Sequence, residues 1–229
     1  MRKHIPNIIT LLNLFCGCSA LACIFYDQFV LAFWLLLAGG IADFMDGLVA
    51  RLLKIKSTMG KEMDSLADMV SFGAVPGAIF YRLLGKSFDT PQHQYSLIAA
   101  FGFMVTLFAC LRLAKFNVDS RQTDHFIGLP TPSCTIFTVG LMLIYNFNSL
   151  NLQSFVLNPY FLIPTILMLS YLMIAELEMF SFKFQSFKWE GNEIKFIFAA
   201  LSIILIVWLR EVAFSLIIVL YVVLAVILK

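Results

Sequence analysis

Gln28-Phe-Val-Leu-Ala-Phe-Trp-Leu-Leu-Leu-Ala-Gly-Gly-Ile-Ala-Asp43-Phe-Met-Asp46-Gly47-Leu-Val-Ala50-Arg51 is the stretch from which the rest of the chain can be read. No residue from Phe29 to Ala42 carries a charge, and the apolar positions run on without alternating. The stretch is therefore a helix surrounded by apolar material and not a half-exposed strand. At about 1.5 Å per residue, a run from 28 to 50 crosses the roughly 30 Å of a bilayer's hydrocarbon. Two aspartates stand near its far end, where an uncompensated charge would be expensive.

Other parts of the chain repeat the pattern. Of 229 residues, 61% are hydrophobic and 13% charged, with a mean hydropathy of +0.90, far from the balance of a soluble domain. In lipid every backbone N–H and C=O must be paired inside a helix or a closed barrel. The long unalternating runs argue against a barrel. Eight runs have spanning length: 5–25, 28–50, 60–83, 93–113, 130–148, 158–178, 194–209 and 212–228. The expected fold is an all-α integral membrane bundle of about eight transmembrane helices. The last two runs abut at Arg210 and Glu211, which predicts a tight hairpin at an interface. Asn7, Thr10 and Asn13 interrupt the first run and no small-residue cleavage site follows it, so it reads as a helix and not as a removed leader. Nothing resembling a linker or repeat divides the sequence. One domain is expected over 1–229, with a core to residue 180 and two extra helices over 194–228.

Basic residues set the orientation, because Lys and Arg near helix ends stay on the cytoplasmic side. With the N-terminus cytoplasmic, thirteen of the sixteen fall inside, and only Arg82, Lys86 and Arg210 fall outside. The predicted location is the inner (cytoplasmic) membrane. The net charge of +2 is spread over many helix ends, which suits anionic headgroups and gives no sign of nucleic acid as a partner. The five cysteines lack metal-ligand spacing and read as small packing groups. Pro76 and Pro164 fall inside predicted helices and should bend them. Two inner connections, 114–129 and 179–193, are long and polar enough to cover a cytoplasmic opening.

The chemistry is concentrated in two carboxylate pairs. Asp43 and Asp46 are three residues apart, Asp64 and Asp68 four apart, so each pair shares one face of its helix. The second helix runs inward and the third outward, which puts both pairs near the cytoplasmic end of one hairpin. Asp68 lies about 12 Å along the third helix from Gly60 at about 1.5 Å per residue, at a depth where a bare carboxylate costs on the order of 3 kcal/mol. Arg51 alone cannot balance four of them. One or two divalent cations can, and all-oxygen ligands favour Mg²⁺ or Mn²⁺ over zinc. Gly47 and Gly60, with Ala50, leave room for a bulky ligand against the helix backbones. Taken singly, such aspartates also fit solvated helix ends or the ion path of a cation transporter.

The arrangement D-x-x-D-G-x-x-A-R, eight residues, then G-x-x-x-D-x-x-x-D, carried by Asp43, Asp46, Gly47, Ala50, Arg51, Gly60, Asp64 and Asp68, resembles the signature of the CDP-alcohol phosphotransferases at every fixed position. The resemblance implies a helical membrane enzyme whose aspartates bind two divalent metals and whose CDP-alcohol substrate gives a phosphodiester lipid and CMP. Three further stretches look like the phosphatidylserine synthase branch: Ser71-Phe-Gly-Ala-Val-Pro76-Gly77, Arg112-Leu-Ala-Lys115-Phe-Asn117, and Phe126-Ile-Gly-Leu-Pro130-Thr-Pro132. Pro6-Asn7-Ile-Ile-Thr10-Leu-Leu-Asn13 is similar to the family's first helix, which helps wall the nucleotide pocket. Lys115, where Arg is commoner, and Val75 and Gly77, where small alanines are usual, depart from that branch.

What the resemblance implies is specific. Asp43, Asp46 and Asp64 are metal ligands, and Asp68 is a ligand or the general base for an attacking serine hydroxyl. Asn7, Thr10, Asn13, Asp46, Gly47, Ala50, Arg51 and Gly60 belong to the nucleotide site. Ser71, Arg112, Lys115, Asn117 and Arg121 are the candidates for binding phosphate or substrate. The expected reaction transfers a phosphatidyl group from CDP-diacylglycerol to L-serine, with a homodimer as the assembly. Another acceptor, glycerol 3-phosphate or an inositol phosphate, stays open from sequence, although an acceptor phosphate calls for more cations than the Arg112 region offers.

Overall fold

The computed structural model describes residues 4–55, 57–91, 94–119, 126–179 and 192–227. Helix α1 (Ile5–Phe25) turns at Asp27, in the left-handed region (φ 58°), into α2 (Phe29–Leu52), and the two pack along their length. Helix α3 (Thr58–Asp68) starts on Ser57, whose Oγ accepts the Gly60 N–H at 3.1 Å. It runs through a π-helical turn (Met69–Ala74) into α4 (Val75–Ser87). Then come a 3₁₀ turn (Ala99–Phe103) and α5 (Met104–Val118), α6 (Thr131–Phe147), a short α7 (Gln153–Val156), α8 (Pro159–Ile174), α9 (Glu193–Leu209) and α10 (Glu211–Ile227).

The π turn ends just before Pro76, where the sequence predicts a bend. Proline has no N–H to give to the carbonyl four residues back, which is Phe72. Neighbouring helices bond two carbonyls of this turn: Thr135 Oγ1 of α6 donates to the Phe72 carbonyl at 3.2 Å, and Thr106 Oγ1 of α5 donates to that of Gly73 at 2.9 Å. Both bonds lie where water is scarce, so they spare buried carbonyls from going unpaired. Through Pro164, by contrast, α8 continues as one helix.

Helix α4 is the hub, with Ile79, Phe80, Leu83 and Leu84 wholly buried among α1, α5, α6 and α8. Outward faces carry Phe15, Trp34, Leu107, Tyr171 and Trp208, all more than half exposed, as expected when lipid is the solvent. Among the described residues, three helices are long and apolar enough to cross a membrane: Ile5–Phe25, Phe29–Leu52 and Ala99–Val118. Thr131–Phe147, Pro159–Ile174 and Glu211–Ile227 are apolar but shorter.

Two boundaries differ from expectation. The run expected at 93–113 is helical over 99–118, so Lys115 and Asn117, which overlap the connection expected at 114–129, sit on the same helix as Arg112. The run expected at 158–178 stops at Ile174. Glu178–Met179 forms an antiparallel ladder with Phe126–Ile127, paired Phe126 with Met179 and Ile127 with Glu178. The Leu129 N–H caps the Leu172 carbonyl at 2.9 Å and the Gly128 N–H bonds Leu177 O at 2.8 Å. The first of these bonds replaces a helical partner that α8 lacks at its end. The break between α9 and α10 falls at Arg210 (φ 49°), as the sequence suggested.

Candidate active site

The N-terminal half of α1, the C-terminal end of α2 and α3 converge, and two contacts tie them. Thr10 Oγ1 of α1 donates to Asp46 Oδ2 of α2 at 2.5 Å, and Asn13 Nδ2 of α1 donates to Asp68 Oδ1 of α3 at 3.4 Å. Thr10, Asn13 and Asp46 are all more than nine-tenths buried. Between the three helices lies a cleft of about 200 Å³, reached by Asn7 and Thr10 from α1, Asp46, Gly47 and Ala50 from α2, and Gly60, Lys61 and Asp64 from α3. A methyl group added at Gly47 would meet nothing within 4 Å, so the open space begins at the helix backbone itself. Gly60 is closer set, 3.2 Å from Asn7 Oδ1 by the same measure.

Beside the cleft, one carboxylate oxygen each from Asp43, Asp64 and Asp68 lies within 4.8 Å of the others. Asp64 Oδ1 is buried with no hydrogen-bond partner. A buried acceptor aimed among two other carboxylates is uncompensated by protein alone, and a hard divalent cation is what such an oxygen set fits. Asp46 stands apart from this trio, facing the cleft with Thr10 as its donor. The two carboxylate pairs thus converge as three oxygens plus one neighbour.

On the other flank of α2 runs a second opening, an apolar groove of about 450 Å³. Leu36, Gly40 and Phe44 of α2, Phe72 of the π turn, Ile136 of α6 and Phe214 of α10 line it, and Asp43 stands on its wall. A polar cleft and an apolar groove therefore meet at the aspartates. Residues 3–175 match the sequence model of the CDP-alcohol phosphatidyltransferases.

The chain belongs to the CDP-alcohol phosphatidyltransferase family. Curated relatives carry the name CDP-diacylglycerol--serine O-phosphatidyltransferase. The one from Helicobacter pylori (strain J99) is 36% identical over 143 residues, 62% of this chain and 58% of the relative. That from Bacillus subtilis (strain 168) is 33% identical over 144 residues, 63% of this chain and 78% of the relative. The Saccharomyces cerevisiae protein is 35% identical over 158 residues, 60% of this chain and 53% of the relative. The chain thus spans little more than half of the Helicobacter and yeast proteins.

The remaining candidates divide. Arg51 folds back along α2, its Nε donating to the Gly47 carbonyl at 3.0 Å. Ser71 is buried, with its hydroxyl on Asn13. Lys115 pairs with Glu176 at 3.6 Å, and Asn117 Nδ2 donates to Ser65 Oγ of α3 at 2.8 Å. Arg121 lies outside the described residues. Arg112 is the unusual one. It is 4% exposed, its Nε has no acceptor, and its guanidinium lies 5.2 Å from the centre of the Phe116 ring. With Thr106 bonded to Gly73 and Asn117 to Ser65, α5 runs antiparallel to α3, and Arg112 falls at the height of Asp68 and Met69.

Tyr221 of α10 was not singled out by sequence reasoning, yet it comes close enough to interact electrostatically with Arg112. Its one signal in the sequence is a phenol in a helix otherwise free of aromatic hydroxyls. Lys61, next to Gly60, also reaches the cleft.

Proposed function

We propose that this chain transfers the phosphatidyl group of CDP-diacylglycerol to L-serine, forming phosphatidylserine and CMP. The observation that carries the reading is the meeting of a polar cleft and an apolar groove at Asp43, Asp64 and Asp68, which suits one substrate with a nucleotide at one end and acyl chains at the other. The nucleotide occupies the cleft against Gly47, Ala50 and Gly60, with Asn7 and Thr10 as its wall. The acyl chains lie in the groove along α2 and α6. Asp43, Asp46, Asp64 and Asp68 hold the divalent ions, Mg²⁺ or Mn²⁺, two per site. When bound, these neutralise the diphosphate and the charge on departing CMP.

Asp68 takes the proton of the serine hydroxyl as its oxygen bonds to the lipid-side phosphorus and the phosphoanhydride bond to CMP breaks. Arg112, at the height of Asp68, binds the serine carboxylate. It is a cation for which the described residues supply no ion pair, and the acceptor brings the matching anion. Lys115, with Glu176 already beside it, is less available, which favours an acceptor carrying a carboxylate over one carrying a phosphate.

The wider arrangement belongs to the same reading: about eight spans in the inner membrane, an N-terminus and active site on the cytoplasmic side, one domain over 1–229, and a homodimer. Lys54, Lys61 and Lys115 accompany the aspartates at one end of the bundle, in line with the positive-inside rule. Helix α10 docks on the core, with Ser215 Oγ donating to the Phe137 carbonyl and Ser149 Oγ to Glu211 Oε2, both at 2.9 Å.

Purified protein with labelled serine and CDP-diacylglycerol should yield phosphatidylserine, and chelation should abolish the product until Mg²⁺ or Mn²⁺ is restored. Asp64→Asn should lose at least about 100-fold in rate, since even outer partners of metal ligands are worth about 10–100-fold. Full turnover in chelator, or a lipid product formed from glycerol 3-phosphate and not from serine, would sink the reading.

A further inference from the structure

Asn13 is entirely buried between α1, α2 and the π turn. Its amide has one accepting oxygen and one donating nitrogen, and both ends are occupied. Ser71 Oγ lies 2.8 Å from Asn13 Oδ1 and 3.2 Å from the Asn13 backbone carbonyl, two acceptors toward which its hydroxyl is a donor. With Oδ1 facing Ser71, the NH₂ group faces Asp68 Oδ1. The flipped amide would set oxygen against carboxylate oxygen, so the orientation follows from the partners. Gly17 lets the π turn approach, because a Cβ there would run into Ser71, and Gly39 does the same for α2, where a Cβ would stand 3.3 Å from Asn13 Oδ1. Ser71, Gly17 and Gly39, from three elements, thus fix the Asn13 amide against one oxygen of one carboxylate.

We infer that Asn13, held by Ser71, is a positioning residue that fixes the Asp68 carboxylate and presents its second oxygen to Asp43 and Asp64. The role rests on the metal-assisted transfer proposed above but assigns Asn13 and Ser71 differently from ligand contact. Neither touches substrate; Ser71 acts only through Asn13, and Asn13 only through Asp68. Outer-shell partners of this kind orient metal ligands and are worth about 10–100-fold in affinity or activity.

The test uses the full chain purified in detergent, with Asn13→Ala, Ser71→Ala and the double variant compared by Mn²⁺ titration followed by electron paramagnetic resonance and by serine-transfer kinetics. Asn13→Ala is expected to weaken Mn²⁺ binding about tenfold or more and to lower kcat, with the KM for CDP-diacylglycerol unchanged. Ser71→Ala should shift the same two quantities by less. Because Ser71 works through Asn13, the double variant should be no worse than Asn13→Ala alone. Losses that multiply in the double variant, or wild-type Mn²⁺ binding and kcat in a Ser71→Ala protein, overturn the inference. Ser71→Ala only removes a hydroxyl from a helical segment, so it keeps the test decisive if Asn13→Ala does not fold. Should the wild type make no phosphatidylserine while Ser71→Ala still weakens Mn²⁺ binding, the transfer reading fails and the positioning role stands.

Discussion

Arg112 carries a full charge at 4% exposure with its Nε facing no acceptor, a costly arrangement until an anion joins it. Arg112→Gln should therefore raise the KM for serine at least about tenfold, since removing one partner of a buried charge pair costs about 2–5 kcal/mol, and leave that for CDP-diacylglycerol nearly unchanged. Steady-state kinetics with each substrate varied in turn check it, and equal loss for both would count against a serine-binding role. The aspartates were legible from sequence because spacing alone puts each pair on one helix face. The partners of Arg112 were not. Phe116 follows from helical spacing, but Tyr221 lies more than a hundred positions away and reaches it only through the docking of α10. Ser71 could be found by motif, yet its bond to Asn13 depends on how closely α1 and the π turn approach.

Helix α2 works with both flanks, a polar cleft on one and an apolar groove on the other. Gly47 gives a clean probe of the first, because the space beside it is open. Gly47→Val should block CMP binding in calorimetry and depress turnover, while thermal unfolding shifts by no more than about 0.5 kcal/mol, as for a substitution that touches no packed neighbour. Loss of stability in place of binding would show that the cleft is not the nucleotide site. Helix existence was readable from long apolar runs. The end of α8 was not, since hydropathy continues past Ile174, and only the pairing of Glu178–Met179 with Phe126–Ile127 takes the backbone out of the helix. The π turn was half visible: Pro76 marks a lost hydrogen bond, but which neighbours supply the replacements depends on where α5 and α6 pack.

At the far end of the molecule from the aspartates, the α1–α2 turn is clamped to α4. Asp27 accepts from Arg82 Nε at 3.2 Å and from Arg82 Nη2 at 2.8 and 2.9 Å, and from Lys86 Nζ at 2.8 Å, with Lys86 also over the rings of Phe29 and Tyr145. Asp27→Asn should lower stability by about 2 kcal/mol, since the cluster is half-buried and hydrogen bonds to charged groups are worth about 1.5–3 kcal/mol, and leave the KM for both substrates unchanged. Thermal unfolding in detergent alongside kinetics separates the two effects, and a shifted KM would tie this end to the site. The two openings on either side of α2 carry a kinetic consequence of their own. A molecule whose tails stay dissolved in the sheet while its head enters from that sheet meets the protein by lateral diffusion, in two dimensions. Its effective concentration is then its mole fraction among the surrounding lipids, so dilution with inert phospholipid at constant bulk molarity should slow the proposed turnover, whereas serine, the proposed acceptor arriving from water, should obey ordinary molarity.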